Sequence, residues 1–408
     1  MSEVIVIGAG AAGMMAAISA ADCGHKVLVL EKNEKPGKKL YITGKGRCNV
    51  TNACDAEDYF GHLLHNPKFM YSGYYGFDSR AVMDFFEDEG VPLKVERGER
   101  VFPQSDKSAD ILDALKRAMK NRGVTLRYRT KVQKILEEDG RACGVQLEDG
   151  RNLKADAVIL ATGGKSYPQT GSDGDGYRMA AKAGHGITTL RPALVPLIVS
   201  EEWVRTLQGL SLKNVSLRAV HEGKTFFEEQ GEMMFTHFGI TGPLVLSLSS
   251  YMAKFGYENV QLYLDMKPAL SPEKLDERLL RDLSESQNKQ LRNAFLKLLP
   301  QKMVPITLNL AGLDEYEESN RLGASKRKAY ASLLKAIPMT VTGTRGFKEA
   351  IITSGGIDCK EINPSTMESR ILKKLYFAGE IIDVDALTGG FNLQIAWSTG
   401  VLAGRSIE

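Results

Sequence analysis

The sequence predicts an α/β protein: a discontinuous Rossmann-like domain assembled from both ends of the chain, interrupted by an inserted β-rich plus helical domain. Three observations predict it. The N-terminal segment reads strand, glycine turn, small-residue helix, strand and acid. Two distant segments, "ADAVILATGG" and "KKLYFAGEIIDVDALTGGFNLQIAWSTGVLAG", carry further buried strands ending in glycine-rich turns. Between them the pattern first alternates apolar with polar and then becomes helical. The expected partition is 1–190 with 345–408 for the nucleotide-type domain and 191–344 for the insert. Within the insert, antiparallel strands of a sheet or small barrel are expected at about 191–268 and 338–344, and helices at about 270–337.

Val4 to Ile7 form a continuous apolar run, as in a strand buried on both faces of a parallel sheet. Gly8, Gly10 and Gly13 follow in GxGxxG spacing, then a helix from about Ala11 to Cys23. Gly8 permits the tight turn, Gly10 lets a pyrophosphate approach the backbone, and Gly13 lets the helix lie close on the strand. The helix start at Ala11 and Ala12 offers free N–H groups and a positive dipole end to phosphates. A second apolar run, Val27 to Leu30, ends in Glu31, 18 residues beyond Gly13. A carboxylate there accepts from adenosine ribose hydroxyls, and Lys32 stands beside it.

That fingerprint alone does not separate NAD from FAD. The distant segments select FAD. One strand ends in Ala161, Thr162, Gly163 and Gly164; another ends in Gly379 and Glu380. After Gly389 and Gly390 a helix begins near Asn392, with Phe391, Leu393 and Gln394 in its opening turn. An NAD domain completes its site from one continuous stretch, whereas many flavoproteins return the last strand and helix to the cofactor. Glu380 would meet the ribityl or pyrophosphate region. The helix would aim its N-terminus at the flavin edge that becomes negative on reduction.

The stretch "KKLYITGKGRCNVTNACD" is the next to emerge above the sheet's carboxyl edge, where ligands of such folds collect. Lys39 and Leu40 open it, and Gly44 and Gly46 admit close backbone approach. Arg47 adds a charged donor toward the pyrophosphate. Cys48, Asn49 and Thr51 would then lie beside the flavin ring. Cys48 and Cys54 are separated by five residues, with no second Cys or His pair at ligand spacing, so no metal is expected. A low-pKa redox role for Cys48 stays open at this level.

"SRAVMDFFEDEG" predicts a helix closed by Gly90, "LKVERGERVFP" a hairpin, and "SADILDALKRAMKNRG" a helix capped by Ser108 and ended by Gly123. "YFGHLLHNP" reads as an amphipathic helical turn. Short strands around Asp139-Gly140 and Asp149-Gly150 follow, with Val132 placed where a backbone amide could meet the adenine. Asp173 and Asp175 suggest calcium, but the twelfth position of an EF-hand would fall on Gly184. Asp175 is read instead as the N-cap of a helix from Gly176 to Ala183.

Lysine and arginine number 53 against 50 aspartate and glutamate, a net charge of +3, which gives no electrostatic case for nucleic acid or an anionic membrane. The run Lys326-Arg327-Lys328 reads as a solvated helix face. Five cysteines are too few for a disulfide framework. No apolar run reaches the ~20 residues needed to span a bilayer. "MSEVIVIG" enters a strand pattern without a leader, so a cytoplasmic protein is expected and the Asn49-Val50-Thr51 sequon is idle.

The set "GAGAAG", "GKGRCNVTN", "ATGGKSYPQTGSDGDGYRMAAKAGH", "FTHFGITGP", "TSGGID" and "LYFAGEIIDVDALTGGFNLQ" resembles the bacterial NAD(FAD)-utilising dehydrogenase family, the BaiN-like flavoproteins. The resemblance covers nearly the whole chain. It implies an FAD-binding domain of the two-dinucleotide-binding type with an inserted domain, and reduction of enone-like rings. "GDGYRMAAKAGH" is also similar to a segment of fumarate reductase flavoproteins.

No second GxGxxG unit is present, so NAD(P)H is expected as a transient co-substrate over the flavin. The substrate, a small molecule, is expected between flavin and insert. Reduction of an activated double bond needs hydride from flavin N5 and a proton donor. His237, in "MFTHFGITGP", and Tyr167, after the ATGG turn, are the candidates. The alternatives are an FAD-dependent tRNA-modifying protein and a small-amine oxidase; oxygen consumption by the reduced protein would reveal the latter.

Overall fold

The computed structural model describes residues 1–408. The chain divides into two compact units, Met1–Ala193 with Gly346–Glu408, and Leu194–Arg345.

The first unit is organised by β1 (Glu3–Ile7), β2 (Lys26–Leu30), β3 (Thr125–Arg127), β4 (Ala157–Leu160) and β5 (Leu375–Phe377). They form one parallel sheet in the order β5-β4-β1-β2-β3. Every residue of β4 and β5 is buried, which accounts for their unbroken apolar composition. Helix α1 (Ala11–Asp22) follows β1, and α2 (Phe391–Arg405) follows the return of the chain through β5. A Cβ on Gly13 would run into the carbonyl oxygen of Gly8, so only glycine lets α1 leave β1 this tightly. The two helices pack through small faces: a Cβ on Gly400 would stand 2.6 Å from the Ala12 carbonyl oxygen. The last helix is thereby held against the first.

Smaller sheets surround this core. Val132–Glu138, Arg141–Leu147 and Asn152–Lys154 form an antiparallel meander. Leu93–Glu96 and Arg100–Pro103 form the expected hairpin, and Thr51–Asn52 joins it as a third strand. Leu63–His65 pairs with Asp385–Ala386.

The second unit is a closed antiparallel barrel of six strands with its own apolar core. In barrel order these are Leu197–Val199, Gly239–Thr241, Lys224–Phe235, Ser211–His221, Val260–Asp265 and Ile337–Thr344. Helices Pro243–Met252, Pro272–Ser284, Met303–Leu310 and Ala324–Lys335 complete it.

Several local expectations differ. Ser108 is the first residue of its helix rather than the cap, and its hydroxyl donates to the Tyr41 carbonyl at 2.6 Å. Helical structure at "YFGHLLHNP" stops at Gly61, and Leu63–His65 is extended because it pairs with Asp385–Ala386. Arg191–Ala193, assigned to the insert by its position, pairs with Ile352–Ser354 inside the first unit. No helix is long and apolar enough to cross a membrane.

Candidate cofactor site

The glycine turn and Glu31 form one structure. Glu31 is 6% exposed, and its Oε2 accepts from the Ala9 N–H at 2.9 Å. Its Oε1 accepts from Asn33 N–H and Asn33 Nδ2, each at 2.8 Å. The carboxylate therefore braces the loop after β1 while keeping lone-pair capacity for a sugar hydroxyl. Gly10 is the N-cap of α1, without a side-chain cap and with no acid in the first turn, and a Cβ there would meet open space. The orphan N–H groups of α1 begin here, in a setting suited to an anion.

The loop after Gly37 is anchored differently from expectation. Arg47, expected at the pyrophosphate, donates to Asp106 Oδ1 at 2.7 Å and to Glu96 Oε1 at 2.5 Å, and its guanidinium lies 4.1 Å over the Phe102 ring. Gly44 (φ +58°) and Gly46 (φ +86°) take left-handed conformations within the loop. Cys48 is fully buried, and desolvation pushes its thiol up to about 12, only partly opposed by a hydrogen bond with Thr43. Full burial and a raised thiol are the opposite of the exposed, low-pKa setting that a redox cysteine needs. Asn49 keeps a buried Oδ1 without a hydrogen-bond partner.

The C-terminal return closes around this loop. Glu380, just beyond β5, accepts from Lys39 Nζ at 2.6 Å, Ser166 Oγ at 3.0 Å and Thr353 N–H at 2.8 Å. Lys39 also donates to Ser166 Oγ at 2.6 Å. Both residues, expected to approach the cofactor separately, are joined with two partners the sequence did not single out. A Cβ on Gly379 would stand 2.6 Å from the Ala12 Cβ, bringing the end of β5 to the start of α1.

At the start of α2, Gly390 (φ +104°) is the N-cap, with no side-chain cap and no acid in the first turn. Gln394 is fully buried; it accepts from Thr51 Oγ1 at 2.6 Å and donates to the Phe77 carbonyl at 2.9 Å. Thr51 and Gln394, both expected at the cofactor, are joined to each other by their side chains inside the core. Asn392 donates to the Ala386 and Leu387 carbonyls and accepts from Ala386 N–H, pinning the approach to the helix. Phe391 is buried and stacks on His62, with ring centroids 4.3 Å apart. Leu40 and Leu393 pack with the apolar core, as does Ala161.

Beyond β4, Thr162 has a buried hydroxyl without a partner. Gly163 (φ +73°) and Gly164 lie near Glu380, and a Cβ on Gly164 would come 2.9 Å from its Oε1. Lys32, expected at the cofactor, pairs with Asp175 at 2.8 Å and Asp173 at 3.0 Å. Asp175 opens its helix rather than capping it; Gly174 is the N-cap, and Asp173 accepts from the Asp175 N–H. Burial pushes the Asp175 carboxyl above its ordinary range, reinforced by its hydrogen bond with Asp173. Val132 is buried and pairs with Leu147 in the meander.

The two proton-donor candidates lie in different units. His237 is exposed on the turn from Thr236 to Gly239 of the barrel unit, edge-on to Phe238 at 5.0 Å. Tyr167 belongs to the first unit in a left-handed conformation, φ +51°. Burial, with Glu349 nearby, raises its phenol. A further histidine, His65, is brought to this region by the fold. His65 Nδ1 lies 2.7 Å from Asp385 Oδ1. Its signal is the strand pairing of 63–65 with 385–386, which no local spacing announces.

Two uncapped, acid-free helix starts, the open face of Gly10, and the unpartnered buried atoms Asn49 Oδ1 and Thr162 Oγ1 fit a large anionic cofactor with polar ring edges. FAD meets that description. Residues 2–406 match the family model described as HI0933-like protein Rossmann domain. The chain is 33% identical over 411 residues to a protein named 3-dehydro-bile acid delta(4,6)-reductase from Clostridium scindens, covering 100% of this chain and 99% of the relative. It is 30% identical over 398 residues to a ribosomal RNA dihydrouridine synthase from Escherichia coli, covering 97% and 96%. Among solved structures, a 3-ketosteroid delta1-dehydrogenase from Sterolibacterium denitrificans superposes with TM-score 0.53 at 15% identity, covering 99% of this chain and 98% of that one, a likeness of fold. The chain belongs to the HI0933-like Rossmann family and is an FAD-dependent oxidoreductase.

Proposed function

We propose that the protein reduces a carbon–carbon double bond conjugated to a carbonyl group, with NAD(P)H as the transient electron donor. The observation that carries this reading is the end-to-end similarity to a relative named for reducing a 3-dehydro-bile acid. The relatives named dihydrouridine synthases support the same reaction class. Uracil differs from dihydrouracil by two hydrogens across a double bond conjugated to a carbonyl.

FAD, when bound, supplies the hydride. The chain's residues bind and orient it. Glu31 would take the ribose hydroxyls, and the N-terminus of α1 with Gly10 the pyrophosphate. The N-terminus of α2, held by Asn392 and the Thr51–Gln394 pair, would face the ring edge that becomes negative. Asn49 Oδ1 and Thr162 Oγ1 would receive or share hydrogen bonds with the polar ring and ribityl groups.

A second reading, reduction of a uracil in ribosomal RNA, is favoured by the two relatives that carry that name. Anaerobic mixing with NADH and with NADPH, followed by reoxidation with a 3-oxo-Δ4 steroid or with ribosomal RNA transcripts, separates the two. Steroid reoxidation supports the small-molecule reading. A gain of two hydrogens on one uridine supports the RNA reading. A flavin bleached by neither nicotinamide removes the donor, and one reoxidised by neither acceptor removes the reaction class.

A further inference from the structure

We infer that His65, oriented by Asp385, delivers the proton that completes the reduction. The inference rests on the reaction class proposed above.

Three features single out the pair. The first is its place in the fold. Asp385 lies in the segment that runs from Glu380 at the end of β5 to Gly390 at the start of α2, both part of the candidate cofactor site. Leu63–His65 is the strand paired with Asp385–Ala386, and the His62 carbonyl accepts from Leu387 N–H at 3.0 Å. Asn392 clamps Ala386 from the other side. The histidine and the helix start therefore belong to one rigid wall.

The second feature is the chemistry of the contact. Asp385 is 2% exposed, and its Oδ1 stands 2.7 Å from His65 Nδ1. A buried carboxylate in that position selects the tautomer with a proton on Nδ1 and favours the imidazolium, whose second proton is then on Nε2. His65 has 22% of its side chain exposed, so it can exchange with solvent. Asp385 Oδ2 is buried without a hydrogen-bond partner. A core carboxylate with one committed and one unpartnered oxygen is costly as structure alone.

The third is the surrounding charge. Asp383, on the same returning segment, also favours a cationic His65. Burial raises the Asp383 carboxyl, and the neighbouring His65 opposes that rise. Beside Asp383 stand Asp358, Thr188 and Cys359, whose thiol donates to the Asp383 carbonyl at 3.4 Å. Ser354 Oγ lies 3.5 Å from His65 Nδ1.

The step balances. Bound FAD, once reduced by a nicotinamide, would supply the hydride with its electron pair to the β-carbon of the conjugated system. The resulting enolate takes the Nε2 proton of the His65 imidazolium at the α-carbon. His65 becomes neutral and regains a proton from water.

The test uses the full-length flavoprotein and His65→Asn, which keeps an amide donor toward Asp385, with Asp385→Asn as second variant. Flavin content and nicotinamide bleaching should match wild type in both. Reoxidation by the acceptor that serves the wild type should slow about 100-fold in His65→Asn, and the alkaline limb of the pH profile, where the wild type loses its imidazolium, should vanish. In Asp385→Asn, the His65 resonance followed by nitrogen-labelled NMR should titrate at lower pH than in wild type. Wild-type reoxidation by His65→Asn overturns the proton-delivery role, and an unmoved His65 titration overturns the role of Asp385. Failure of the reaction class reads differently: wild type itself would then not be reoxidised by any conjugated acceptor, and the inference would fall with it.

Discussion

Lys39 Nζ and Glu380 Oε2 meet at 2.6 Å although 341 residues separate them in the chain. The pair ties the loop after β2 to the end of β5, across the insertion. Ser166 touches both residues, so three segments converge on one partly buried charge pair. Removing the lysine leaves a carboxylate with two neutral donors and no counter-ion. Lys39→Met should lower stability by about 1–3 kcal/mol and weaken FAD binding, read by thermal unfolding and flavin titration. Unchanged values in both would make the pair ornamental.

Gly10 and Gly13 should separate binding from folding. A side chain at Gly10 meets open space, whereas at Gly13 it meets the Gly8 carbonyl. Gly10→Ala should remain within about 0.5 kcal/mol of wild-type stability. It should lose FAD affinity by roughly tenfold or more, since a methyl group would occupy the phosphate's approach. Gly13→Ala should be destabilised by roughly 1–3 kcal/mol in chemical denaturation, with or without flavin.

Cys48 gives a pH-dependence of known sign. Its thiol rises from 9.0 to about 12 on burial, so the folded state holds the proton that the unfolded chain releases. This contribution to stability is whole below pH 9.0, and is lost as pH rises toward about 12. Cys48→Ala should flatten the alkaline limb of a denaturation series. In native protein at pH 8, iodoacetamide should modify exposed Cys23 and spare Cys48, which peptide mapping would reveal.

The Thr51–Gln394 hydrogen bond supports α2 from inside. Gln394→Leu leaves the Thr51 hydroxyl and the Phe77 carbonyl without their amide partner in a fully buried place. A loss of about 1–3 kcal/mol is expected. Because the change lies behind the helix start, flavin absorbance should persist while its affinity falls. Abolished binding with full stability would instead place Gln394 in direct contact with the cofactor.

The parallel sheet, both major helices and the glycine turn were legible because each is written in short-range terms: apolar runs, small residues and glycine where a Cβ would collide. Alternation in the insert was legible as an antiparallel sheet or a small barrel, without deciding between them. The barrel's closure needs the pairing of Leu197–Val199 with Ile337–Thr344, and periodicity does not state partners. Arg47 and Lys32 were legible as cations near a phosphate site, but their acid partners were not: Glu96 and Asp106 for the one, Asp173 and Asp175 for the other, arrive from elsewhere in the chain.

By itself, then, the order of residues determined an FAD-type nucleotide fold whose two ends share one sheet, since backbone sterics and hydrophobic burial act on near neighbours. Only the tertiary structure decided which polar groups face each other. Lys39 with Glu380, Thr51 with Gln394 and His65 with Asp385 are pairings across more than 300 positions. A hydrogen bond is satisfied by proximity in space, and the chain's topology alone creates that proximity.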